Sequence, residues 1–116
     1  MKPVHWMGSR LNDLRSMPDE AQDTVGHALD LVQMGGRHAD AEPLKGFKGA
    51  GVLEVVENHD GDTYRAVYTV RIAVAVYVLH VFQKTSKRGI ATPQSDLDLV
   101  RQRLRDAEAD ARGQTP

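Results

Sequence analysis

The chain is 116 residues long, enough for one domain with an apolar core and too short for a second. It has no cysteine, which excludes a disulfide framework, a thiolate metal site and a thiol nucleophile. A formal net charge of -1 argues against a simple nucleic-acid-binding domain, and no apolar run approaches the ~20 residues of a membrane span, so a soluble cytoplasmic protein with no membrane partner is expected.

Pro3 to Met7, with Val4 and Trp6, reads as a first strand. Ser9 offers an N-cap for a helix from Arg10, and Ser16-Met17-Pro18 marks a break before a second helix. Met17, Ala21, Val25, Ala28, Leu29 and Val32 then recur at steps of three and four, as one buried helical stripe does. Asp19, Glu20 and Asp23 lie near its positive end, and Gly35-Gly36 closes it. Residues 37–51 form a polar connector rich in glycine.

Three runs dominated by Val, Tyr and Thr follow, at Val52–Asn58, Thr63–Arg71 and Ala73–Lys84. Asp60-Gly61 between the first two is a strong hairpin signal, so an antiparallel meander is expected. Thr92-Pro93, with Ser95 and Asp98, marks a last helix whose stripe is Leu97, Val100, Leu104 and Ala107. Residues 112–116 read as a frayed tail. The order β-α-α-β-β-β-α defines an α+β domain over 1–116. Two N-terminal helices cover one face of an antiparallel sheet, and the other face is left open to water.

Charge is unevenly spread. Residues 63–95 carry five Lys/Arg and no Asp/Glu, whereas residues 1–62 carry six against eleven. Strand alternation puts Arg65, Val67, Thr69 and Arg71 on one face, expected to be the wet one. On the third strand His80, Phe82 and Lys84 share a side with Tyr77, Leu79 and Val81 opposite, and alternation alone leaves open which side meets the arginines. His80 reads either as a semi-buried structural histidine or as a base. Arg65, Arg71, Lys84, Lys87 and Arg88 are either solvated charges or a phosphate-binding strip. In the second reading, RNA lies on the open sheet and its 2′-hydroxyl attacks the neighbouring phosphate, which requires no metal and no cofactor.

The strings GDTYRAVYTVR, VYVLHVFQK, TPQSDLDLVRQRL and PLKGFKGAGVLEV resemble the HigB-type, phage-derived branch of the RelE/ParE toxin superfamily, from about Pro3 to Ala109. The resemblance implies a RelE-like fold and the toxin of a type II toxin-antitoxin module. Such a toxin is an endoribonuclease that cleaves mRNA on the ribosome and is held silent by a helix-turn-helix antitoxin, through which alone the complex reaches operator DNA. By position it implies a phosphate-binding Arg65, a catalytic Lys84 at the strand end, Lys87 and Arg88 in the loop beyond, and His80 in the branch's Leu-His pattern. Arg71 and Tyr77 complete the expected RNA contacts. Two positions depart from the branch: Thr85 stands where lysine is usually repeated, and Glu54 is followed by Val55-Val56 without the usual arginine. A ParE-like gyrase poison and a non-catalytic binding module are the alternatives.

Overall fold

A computed structural model describes residues 2–8, 10–47, 49–85 and 93–113, the last two positions of the 49–85 segment by backbone alone. The proposed N-cap Ser9 and the basic residues Lys87 and Arg88 lie outside the described residues. In chain order the elements are β1 (Val4–Trp6), α1 (Arg10–Arg15), α2 (Asp19–Gln33), β2 (Glu42–Pro43), β3 (Val52–His59), β4 (Asp62–Thr69), β5 (Val76–Thr85) and α3 (Gln94–Gly113).

The α+β reading holds, with a five-stranded sheet in the order β1-β5-β4-β3-β2. β3, β4 and β5 form the expected meander, but β1 runs parallel to β5, so the sheet is mixed rather than wholly antiparallel. The short strand β2 pairs with β3 inside the stretch expected to be an irregular connector. Asp60 and Gly61 both take positive φ, 50° and 84°, the geometry of a type I′ turn, which matches the strand twist and suits an Asp-Gly pair.

α2 follows Pro18, whose carbonyl accepts from the amide of Gln22 at 3.0 Å. It ends in a Schellman motif, with the Gly36 amide on the Leu31 carbonyl at 2.7 Å and the Gly35 amide on that of Val32 at 3.0 Å. α3 begins one residue before Ser95, and the Pro93 carbonyl accepts from the Leu97 amide at 3.0 Å, so Ser95 is a first-turn residue and not the cap. The helix runs on through Arg112 and Gly113, which therefore belong to it and not to a tail.

The sheet carries a core on each face. On one face the α2 stripe, with Leu14 and Met17, packs on Leu53, Val55, Ala66, Tyr68, Val76, Val78 and Val81. On the other, Val100 and Ala107 of α3, with Leu97 and Leu104 beside them, cover Val52, Val67, Tyr77 and Leu79. The face expected to be open to water is thus largely covered, because a row of valines, leucine and tyrosine exposed on it would forfeit about 1.5–3 kcal/mol per side chain.

Tyr68 is fully buried in the first core, and its hydroxyl has no hydrogen-bond partner among the described residues. Burial pushes this phenol up to about 12, slightly offset by the Arg37 guanidinium. Its folded value exceeds the unfolded one, so the neutral phenol contributes stability that is complete below pH 10 and lost as pH rises towards 12. Tyr68→Phe should therefore be neutral or stabilising by up to about 1 kcal/mol at pH 7. In urea titrations at pH 9 and pH 11 the wild type should lose on the order of 1 kcal/mol more than this variant.

Candidate nucleic-acid interface

The strand registers decide which expected site residues share a surface. Arg65 stands opposite Val56 on β3 and Phe82 on β5, Val67 stands opposite Glu54 and His80, and Thr63 stands opposite Lys84. Arg65, His80, Phe82 and position 84 therefore belong to one face of the sheet. The register slips between Val67 and Tyr68, where Tyr68 pairs with Val78 instead of the next residue in line. This bulge moves Tyr77 and Leu79 onto the α3 side with His80, while Val81 stays on the α2 side, which corrects the alternation expected for this strand.

α3 covers this face unevenly. Val67 and Thr69, expected to be wet beside Arg65, are 0% and 1% exposed. Beyond the first turn of α3, towards the Asp60-Gly61 turn, the face opens: Val56, Thr63, Arg65 and Phe82 are half-buried and Asn58 is exposed. This strip is where a ligand can approach Arg65. Its guanidinium is not loose, since Arg65 Nη1 donates to Glu54 Oε1 at 3.2 Å and each side chain of the pair is 14% exposed. Glu54 fixes the direction of the guanidinium and lowers the positive potential of the strip.

His80 is held on both sides. Its Nδ1 lies 3.2 Å from Arg103 Nη1 and its Nε2 lies 2.9 Å from Asp96 Oδ1. A guanidinium only donates, so Nδ1 is the acceptor and Nε2 carries the hydrogen directed at Asp96. The ring also stacks on Phe82, with centroids 4.4 Å apart and an interplanar angle of 18°. Arg103 Nη1 donates as well to the Leu79 carbonyl at 2.9 Å. His80 thus ties β5 to α3 with both nitrogens engaged, an arrangement suited to positioning Phe82 and α3.

Tyr77 is 1% exposed and its hydroxyl donates to Asp110 Oδ2 at 2.6 Å, with the His5 ring edge-on to it at 5.1 Å. Its ring is therefore out of reach of a stacking base. Arg71 lies past the end of β4, six residues beyond Arg65 and away from the Asp60-Gly61 turn. The structure thus brings together Arg65, His80 and position 84, seats Tyr77 beneath α3, and places Arg71 at the opposite end of the sheet. Lys84 contributes its register position only, and Lys87 and Arg88 belong to the segment outside the described residues. Glu54, Asp96 and Arg103 are the partners that strand patterning did not reveal. Among the described residues no three His, Asp or Glu side chains are grouped to hold a metal ion, and no helix is long and apolar enough to cross a membrane.

A mixed sheet with two N-terminal helices on one face and a C-terminal helix on the other is broadly a RelE-like fold. The family description Phage derived protein Gp49-like matches residues 12–105, most of the chain, and the chain belongs to this RelE/toxin-like family. No curated protein and no solved structure gives a significant match.

The histidine tie predicts measurable coupling between β5 and α3. Asp96→Asn and His80→Phe should each destabilise by about 1–2 kcal/mol in urea unfolding. The double variant should fall short of the sum by at least about 0.5 kcal/mol, the mark of a direct interaction.

Proposed function

We propose that this chain is the toxin of a type II toxin-antitoxin module, of the HigB-type, phage-derived branch, and that it inhibits translation by cleaving mRNA on the ribosome. The observation that carries the reading is the shared face: strand register puts Arg65 and position 84 on the same side of the sheet, where Arg65 is half-buried. Membership of the Gp49-like family is compatible with a toxin.

In this reading the RNA backbone crosses the strip beside Phe82. Arg65, oriented by Glu54, donates to a non-bridging phosphoryl oxygen, and Lys84 neutralises the charge that builds as the 2′-hydroxyl attacks. Lys87 and Arg88, in the segment that follows β5 in the sequence, supply further phosphate contacts. His80 is a positioning residue, holding Phe82 and the first turn of α3 beside the strip. The partners are mRNA, the ribosome and a helix-turn-helix antitoxin that carries the complex to its operator, and the compartment is the cytoplasm. The second reading is a ParE-like gyrase poison, favoured by the pairing of Arg65 with a carboxylate, which weakens it as a phosphate clamp.

Removing Arg65 alone strands a partly shielded Glu54, so the informative variants come as a pair. Glu54→Gln should keep growth inhibition when the chain is expressed without an antitoxin. Glu54→Gln combined with Arg65→Gln should lower transcript cleavage by roughly 100-fold or more with an unchanged circular dichroism spectrum. Full toxicity of the double variant refutes the role of Arg65, and intact transcripts accompanied by DNA damage replace the nuclease by the gyrase poison.

A further inference from the structure

The end of the sheet remote from Arg65 holds a second cationic site of different character. A groove of about 310 Å³ runs between Arg37 and Arg71, with Pro43, Phe47, Leu53 and Val70 along its walls. Both guanidiniums are held by main-chain carbonyls. Arg37 donates from Nε and Nη2 to the Ala41 carbonyl, at 3.1 and 2.7 Å, and Arg71 donates from Nη1 to that of Gly49 at 2.6 Å.

Neither arginine forms an ion pair with any described carboxylate, whereas Arg10 and Arg65 both do. Among the described residues Nη1 of Arg37 and Nε and Nη2 of Arg71 have no acceptor. The local backbone is shaped to this end. Gly51 has φ of 72°, and a Cβ there would meet Arg71 Cγ at 2.5 Å, so the arginine stem lies flat against a residue with no side chain. Two fixed, uncompensated guanidiniums beside an apolar wall call for a ligand that joins a carboxylate-like anion to an apolar body.

We propose that this groove binds an acidic, apolar peptide segment of a partner protein, its carboxylates on Arg37 and Arg71 and its apolar side chains against Pro43, Leu53 and Val70. A polynucleotide suits it poorly. RNA binding grows with the number of phosphates neutralised along a track, and this groove offers two arginines and no track. The Phe47 ring is also covered on one side by the Arg101 guanidinium, 4.7 Å from its centroid. The inference is independent of the nuclease reading, which rests on Arg65 at the other end of the sheet.

The test is an NMR titration of the full ¹⁵N-labelled chain with three probes: an octapeptide of alternating glutamate and leucine, its glutamine-leucine analogue, and an eight-nucleotide single-stranded RNA. The glutamate peptide should shift the amides of Gly49, Gly51 and Val70 and the Nε resonances of Arg37 and Arg71. The glutamine analogue should bind at least about tenfold more weakly. Arg37→Gln and Arg71→Gln should each weaken the glutamate peptide about tenfold, with amide resonances distant from the groove unmoved. The proposal is overturned if millimolar glutamate peptide shifts none of these resonances. Undiminished binding to the Arg37→Gln, Arg71→Gln double variant overturns it as well, as does RNA shifting the same resonances at a lower concentration than the peptide.

Discussion

The packing of α3 on the second face of the sheet governs what surface this protein has to offer. That face carries Val52, Val67, Tyr77 and Leu79, all buried, and α3 answers with only two fully buried side chains, Val100 and Ala107. The apolar contact is therefore narrow, and polar ties reinforce it along the length of the helix. Asp96 in its first turn and Arg103 at its middle engage His80, and Asp110 takes the Tyr77 hydroxyl near its end. Beyond the first turn of the helix the described part of the face is less deeply buried, and Arg65 and Phe82 lie there half-buried.

A single β-bulge decides which side chains reach that surface. With unbroken alternation Tyr77 and Leu79 would lie on the α2 side, away from His80. The slip between Val67 and Tyr68 places all three under α3, so the aromatic groups of β5 gather on one face. Tyr77 and His80 become the anchors of the helix, and Phe82, stacked on His80, forms the border between covered and open sheet.

The cations divide by how they are held, and the division separates their roles. Arg103 is spent on a ring nitrogen and a carbonyl inside the α3 contact. Arg65 is steered by Glu54, which preorganises it at the cost of some positive potential. Arg37 and Arg71 rest on carbonyls and have no acidic partner among the described residues. A chain with a net charge of -1 can in this way present two localised positive sites at opposite ends of one sheet, since screening limits each field to roughly 8–10 Å.

Much of the architecture is legible from local chemistry alone. The α2 and α3 stripes follow from steps of three and four, the β3–β4 hairpin from Asp60-Gly61, and the α2 terminus from Gly35-Gly36, because each depends on neighbours within a few residues. The candidate site is legible in part, since alternation places Arg65 with Val67 and His80 with Phe82 and Lys84. What local chemistry leaves undecided is every contact between distant segments. The parallel pairing of β1 with β5 joins Val4 to Val76, and β2 forms only because Glu42-Pro43 finds the edge of β3. The bulge at Val67 and the packing of α3 overturned the open face, since an amphipathic helix shows that it needs a surface but not which one. The pairing of Arg65 with Glu54, the double engagement of His80 and the removal of Arg71 to the far end are likewise set by strand register, a property of two segments together that neither encodes alone.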